Sequence, residues 1–156
     1  MSISQQEAEA LMGMAKQFDD EILELDFSET ARFEKQYPIV QKDGREQFIF
    51  DLSRANLTRA RLKFQTRARK IVVLARIDIN PKAHRNPIDS PHRPNYRFTE
   101  THVHLYNEEF GDRIAYLPSE LKGFKVPDDQ GDGVAWLFAF LRYCNVVSIP
   151  RIQVGN

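Results

Sequence analysis

Two periodicities divide the chain. From Ser4 onward, Leu11, Met12, Ala15, Phe18 and Ile22 recur at helical spacing, and Ser4 followed three residues later by Glu7 is a capping-box pattern, so a helix is predicted from Ser4 to about Ile22. Its other face is acidic. From Leu25 the period shortens. ARFEKQYPIV and QFIFDLSRA read as two strands joined through QKDGRE, with Asp43-Gly44 supplying the hairpin turn. Pro38 cannot donate a ladder hydrogen bond, which predicts that the first of these strands lies at a sheet edge.

LTRARLKFQTRAR then alternates strictly. Arg59, Arg61, Lys63, Gln65, Arg67 and Arg69 share one face, and Ala60, Leu62, Phe64, Thr66 and Ala68 the other, as in a half-buried strand with a basic outer surface. IVVLARIDI is apolar enough for a central strand, and its even-numbered face ends in Arg76 and Asp78, charges that need partners if buried. A proline-rich loop follows from Asn80 to about Arg97. In THVHLYNEEF the alternation returns, with Val103 and Leu105 on one side and His102, His104 and Tyr106 on the other. FGDRIAYLP suggests a further short strand preceded by a turn at Asp112 and Arg113. VAWLFAFLRYCNV, capped by Asp132, is a helix apolar almost all round that contains the lone Cys144 as a core residue. The expected fold is α+β: an antiparallel meander of about four to five strands, packed on one face by the N- and C-terminal helices, as a single domain over residues 1–156.

Composition narrows this picture. A chain of 156 residues with 42% hydrophobic and 28% charged residues has the size and balance of one globular domain, and no apolar run approaches the roughly 20 residues of a membrane span. One cysteine allows no internal disulfide, and the N-terminus lacks a basic-then-apolar leader, so a cytoplasmic protein without membrane contact is expected. The net charge of zero hides a strong asymmetry. Residues 1–53 hold 12 acids and 5 bases, residues 54–97 hold 2 acids and 12 bases, and residues 98–156 hold 8 acids and 5 bases. A local basic face can attract phosphate whatever the total, unless the acidic helix folds onto it and neutralises it.

Candidate chemistry concentrates in one segment. Pro81 to Tyr106 contains all four histidines, His84, His92, His102 and His104, and four of the eight prolines. His102 and His104 on one strand face can reach a single metal ion, with Asp78, His84 or His92 as a third ligand, but Arg76, Arg85, Arg93 and Arg97 crowd the same region and disfavour a cation. Phosphodiester chemistry without metal fits the arginines better. There, histidines among His84, His102 and His104 exchange protons with a ribose hydroxyl and a leaving oxygen, Tyr106 positions the phosphate or acts as acid, and Arg76 neutralises the developing charge. The same groups also suit plain binding, with Arg59, Arg61, Lys63, Arg67, Arg69 and Arg85 on backbone phosphates and Tyr96, Phe98 and Tyr106 stacking on bases. A bland alternative is a hydrogen-bonded polar face that ties the loop to the sheet.

The run RARKIVVLARIDI, then HRNP, THVHLY and FGDRIAYLP, with YCNV and PRIQ near the end, resembles an uncharacterised family of small bacterial and prophage-encoded proteins over roughly residues 47–153. A strand ending Arg-hydrophobic-Asp, a His-x-Asn-Pro loop and a His-x-His-x-Tyr strand carry the resemblance. Ile88-Asp89-Ser90 and Pro91-His92-Arg93-Pro94 depart from the tighter loop of that pattern. The resemblance implies a compact domain linked to mobile elements or host defence, either a toxin-like nuclease or a protein that blocks another, and it brings no established activity.

The leading expectation is therefore an RNA- or nucleotide-phosphate-binding protein with metal-independent, toxin-like ribonuclease chemistry. Its working face comprises Arg76, Asp78, His84, His102, His104 and Tyr106 beside the basic strand. No cofactor and no metal ligand is assigned. The alternative is a non-enzymatic phage or prophage interaction protein that sets its basic face on an acidic protein partner.

Overall fold

A computed structural model describes residues 2–29, 31–55 and 61–155. In chain order the elements are α1 (Gln5–Gly13), β1 (Lys16–Phe18), β2 (Glu24–Ser28), β3 (Phe33–Gln41), β4 (Gln47–Arg54), β5 (Leu62–Ala68), β6 (Val72–Ile79), β7 (His84–Arg85), β8 (Arg97–Phe98), β9 (His102–Asn107), β10 (Gly111–Tyr116), a 3-10 turn (Pro118–Glu120), α2 (Gly133–Tyr143), β11 (Val146–Ser148) and β12 (Arg151–Gly155). The architecture is α+β and dominated by strands. Among the described residues no helix is long and apolar enough to cross a membrane.

The meander is larger than expected. β3, β4, β5, β6, β9 and β10 form consecutive antiparallel neighbours, and β1 and β11 extend the far side, giving an eight-stranded sheet in the order β10-β9-β6-β5-β4-β3-β1-β11. The strands that the pattern did not anticipate are mostly two or three residues long and carry too little alternation to register. β1 pairs with β3 on one side and, in parallel, with β11 on the other; β2 and β12 form a separate parallel pair.

Three local expectations are corrected by these pairings. The first helix stops at Gly13, not near Ile22, because Lys16–Phe18 is drawn into the sheet. Pro38 lies in an interior strand, yet β1 pairs only with Ile39–Gln41, so Pro38 occupies the stretch of β3 that has β4 alone as its sheet neighbour. Asp112 and Arg113 belong to β10 itself, where the ladder with β9 is irregular.

The caps follow the sequence. Glu7 N–H donates to Ser4 Oγ at 3.1 Å and Ala135 N–H to Asp132 Oδ1 at 3.1 Å, each satisfying an otherwise unpaired first-turn donor. Asp43 takes φ 58° in the β3–β4 turn, the left-handed conformation that Asp tolerates. In the core, Phe50, Phe64 and Phe140 pack with ring centroids 6.3–6.5 Å apart, so α2 is anchored on the middle of the sheet. The fully buried Lys16 donates to the carbonyls of Met12 (2.8 Å), Met14 (3.0 Å) and Cys144 (2.9 Å), joining the ends of both helices.

One irregularity decides where the polar residues go. Thr66 pairs with Ala75 and Arg67 with Val73, so Leu74 is an extra residue and β6 changes face there. Val72 and Leu74 are buried before the bulge; Ala75, Ile77 and Ile79 are buried after it. Arg76 and Asp78 therefore point away from the main core, toward the side covered by the loop.

Candidate functional site

On that second face two polar rows cross three strands. Lys63, Asp78 and His102 are successive partners across β5, β6 and β9, and Gln65, Arg76 and His104 form the next row. The loop between β6 and β9 folds over their β9 end through the short β7–β8 pair, in which His84 faces Phe98. Three of the four histidines thus converge. Ring centroids lie 4.6 Å apart for His84–His104, 4.9 Å for His102–His104 and 5.6 Å for His84–His102, with Phe98 5.4 Å from His102.

Backbone carbonyls fix the imidazoles. His104 Nδ1 is 2.8 Å from the Asp112 carbonyl and His102 Nδ1 is 2.9 Å from the Glu100 carbonyl. A carbonyl only accepts, so in both rings Nδ1 carries the proton and Nε2 is the basic nitrogen when the ring is neutral. Both Nε2 atoms face the Asp78 carboxylate, at 3.5 Å from His102 and 3.4 Å from His104. These separations exceed an ordinary N–H···O hydrogen bond, and His102 Nε2 is buried without a hydrogen-bond partner.

Arg76 braces the cluster from the pocket side. It donates to Asp78 Oδ1 at 3.1 Å and Oδ2 at 3.3 Å, to Asp112 Oδ2 at 3.0 Å, and to His104 Nε2 at 3.1 Å. Burial alone would raise the Asp78 pKa, but the His102 and His104 rings when protonated at Nε2, together with the Arg76 charge, outweigh it and hold the carboxyl well below its ordinary range. His104 is pushed down, first by burial and then by Arg76, against the opposing pull of Asp78. His84 is also pushed down by burial, and its Nε2 donates toward Asn86 Oδ1 (3.1 Å) and the Arg113 carbonyl (2.9 Å).

The remaining candidates separate. His92 stands outside the cluster, stacked on Tyr116 at 4.3 Å and bonded to Glu120 at 3.0 Å. Tyr106 is committed elsewhere: its hydroxyl donates to the Ile3 carbonyl (2.8 Å) and accepts from Ile3 N–H (3.0 Å). Phe98 is fully buried against His102 and offers no face to a base; Tyr96 is partly exposed and carries Arg93 over its ring at 4.6 Å.

On the basic strand, Arg67 is clamped on both Asp51 carboxylate oxygens at 2.6 and 2.9 Å, and Arg69 pairs with Glu7 and Glu46. The acidic first helix does neutralise part of that face. Arg85 is exposed and bonds the Asn95 carbonyl at 2.8 Å. Arg59 lies outside the described residues. Two contributors escaped sequence reasoning. Asp112, in sequence a turn residue, accepts from Arg76 and its carbonyl holds His104 Nδ1, and Asn86, visible only as the Asn of an Asn-Pro pair, is a buried bridge between the loop and β10.

Beside the cluster opens a cavity of about 380 Å³ whose lining includes Arg61, Lys63, Arg76, Asp78, Lys82 and His84. Among the described residues Lys63 and Lys82 are exposed and in no ion pair, and Arg61 Nε is buried without a hydrogen-bond partner. Cys144 takes no part: it is buried in the core, and burial pushes its thiol up to about 12. A family model described as a family of unknown function (DUF6978) matches residues 3–146. No curated protein and no solved structure matches the chain.

Proposed function

The chain belongs to the family of unknown function DUF6978, and since that membership carries no activity, we propose from the site itself that the protein binds a phosphate-bearing ligand, RNA or a nucleotide, in the cavity between β5, β6 and the loop. One observation carries the proposal. Arg61, Lys63 and Lys82 converge on this cavity without acidic partners among the described residues, whereas Arg67 and Arg69 one turn of the pleat away are spent on acids. At about 380 Å³ the cavity falls within the roughly 300–1,000 Å³ of small-ligand sites. Guanidinium and ammonium groups around such a cleft favour an anion, and phosphate offers the acceptors they match.

Cleavage belongs to the same reading through His84. It is the one histidine of the converging three that lines the cavity, and with Nε2–H held by Asn86 and Arg113 its Nδ1 is the basic nitrogen. A ribose 2′-hydroxyl admitted beside it would lose its proton to Nδ1 as its oxygen bonds to phosphorus, and the P–O5′ bond would break with the leaving 5′ oxygen taking a proton from water, while Arg76 and Arg61 face the phosphate. His102 and His104 are too deeply buried to meet a polynucleotide directly.

The test is fluorescence anisotropy of a labelled short RNA and of labelled nucleotides across a salt series, with a gel assay of a mixed RNA pool in chelator at pH 6–8. Binding that weakens steeply with salt is expected. Absence of binding at low salt would overturn the proposal and favour an acidic protein partner for the same basic groups; binding with intact RNA would leave a binder that does not cleave.

A further inference from the structure

We propose that Asp78, His102 and His104 form a binding site for one divalent transition-metal ion, with His102 Nε2, His104 Nε2 and an Asp78 carboxylate oxygen as ligands. The inference goes beyond the phosphate-binding reading and does not rest on it.

Donor geometry comes first. Ligand atoms at about 2.1 Å around a tetrahedral ion stand roughly 3.4 Å from one another. Asp78 Oδ2 lies 3.5 Å from His102 Nε2 and 3.4 Å from His104 Nε2, and all three ligand atoms fall within 4.8 Å of one another. The two separations from Asp78 are too long for the hydrogen bonds they would replace and match those of ligands that share an ion.

Ring orientation is the second, independent observation. His102 has no exposed side-chain surface, yet its Nε2 is without a hydrogen-bond partner and is aimed at Asp78. A buried imidazole nitrogen left in this state carries the desolvation cost of an unpaired polar group. Both rings hold their Nδ1 protons on backbone carbonyls, of Glu100 and Asp112, which is the arrangement that orients metal-bound histidine and leaves Nε2 to coordinate.

Two of the four arginines that crowd the segment in sequence have partners outside the cluster. Arg93 is paired with Glu120, and Arg85 bonds the Asn95 carbonyl. Among the described residues Arg76 alone hydrogen-bonds these ligand atoms, its Nη2 competing for His104 Nε2 and Asp78 Oδ2. An ion that takes those acceptors releases Nη2, while Nη1 stays on Asp112. Two imidazoles and one carboxylate suit zinc, iron(II) or manganese, and of the three ligands Asp78 also lines the neighbouring cavity, with Arg76 and His84.

The experiment is equilibrium dialysis of chelator-treated full-length protein against Zn²⁺ and Co²⁺, with thermal melts and the visible absorption of bound Co²⁺ as independent readouts. One ion per chain, a rise in Tm and a cobalt ligand-field band are expected. Asp78→Asn, which keeps the side-chain shape, should weaken binding by about 10- to 100-fold or more. Arg76→Met removes the competing cation and should tighten it by about tenfold. His92→Ala, outside the cluster, should change neither affinity nor spectrum. Substoichiometric uptake, or Asp78→Asn binding as tightly as wild type, would overturn the proposal. Should Asp78→Asn not fold, unchanged or weakened binding in Arg76→Met would overturn it. RNA binding in chelator reports on the phosphate reading alone, so either reading can fail without the other.

Discussion

The side-chain amide of Asn86 pairs with both backbone groups of Ala115: Nδ2 donates to the Ala115 carbonyl at 3.1 Å, and Oδ1 accepts from Ala115 N–H at 2.8 Å. Ala115 is thereby given the hydrogen bonds of a neighbouring strand by a single residue of the loop. Nδ2 also donates to the His92 carbonyl, and Oδ1 takes a share of His84 Nε2. This one amide seats the loop on β10 and so holds His84 over His104.

Asn86→Ala is therefore expected to be the costliest single change in the loop. It strands a buried N–H and a buried carbonyl, at about 1–3 kcal/mol each, which for a chain of this size lowers Tm by on the order of 5–20 °C. Asn86→Asp should do no better, because a carboxylate cannot donate to the Ala115 and His92 carbonyls. Differential scanning calorimetry of both variants checks this; a loss below about 2 °C in each would show that the loop is seated by other contacts.

His104→Asn bears on whether that histidine serves structure or chemistry. The ring is almost fully buried, with Nδ1 on the Asp112 carbonyl and Nε2 beside Arg76 and Asp78. Asparagine cannot span both ends, so a loss of about 1–3 kcal/mol is expected in urea titrations. RNA affinity measured well below the lowered Tm should stay within about twofold of wild type, since His104 does not line the cavity that holds Arg61, Lys63 and Lys82. A large fall in affinity with unchanged stability would instead put His104 in direct contact with the ligand.

The cations of β5 should divide by their partners. Lys63 is exposed and in no ion pair among the described residues, so Lys63→Ala should lower the salt slope of RNA binding by about 1. Arg67 holds Asp51 through two hydrogen bonds, so Arg67→Ala should cost stability and leave the slope unchanged. Equal slope changes in the two variants would mean that the Arg67–Asp51 pair opens to bind phosphate.

What could be read from the chain follows from how local each signal is. The alternation of β5 placed Leu62, Phe64 and Ala68 inward and Lys63 and Arg67 outward, because period two is written in adjacent residues. The Asp132 cap and the Asp43 turn were equally local. Face assignment in β6 depended on the bulge at Leu74, a property of its pairing with β5, and strand identity in β1, β11 and β12 depends on partners over a hundred residues distant or on runs too short to alternate. In the site, His102, His104, Asp78 and Arg76 were legible as one face of adjacent strands. Tyr106 shares that alternation but is taken by Ile3, and His92 shares the loop but is taken by Tyr116 and Glu120. Nothing local distinguishes those fates.

Lys16 offers a pH-dependent test of the core. Burial lowers its pKa to about 8, against an opposing pull from Cys144, while the unfolded chain keeps the ordinary value near 10.5. Between these two values the unfolded state binds the proton that the folded state has given up. Stability then rises with pH across about 8 to 10.5, and the cost of the buried charge is carried in full below about 8. Lys16→Met keeps the length of the side chain and removes the titration, but leaves the carbonyls of Met12, Met14 and Cys144 without their donor. At pH 7.5 the variant should be less stable by on the order of 1–3 kcal/mol. By pH 10 the gap should widen by a further 1–3 kcal/mol, to order of magnitude, because wild type gains from shedding its proton while the neutral amine still donates. Paired urea titrations at the two pH values cancel the groups common to both proteins. A gap that stays constant would show that the three carbonyls keep Lys16 charged throughout, and one that narrows would reverse the assigned direction of its shift.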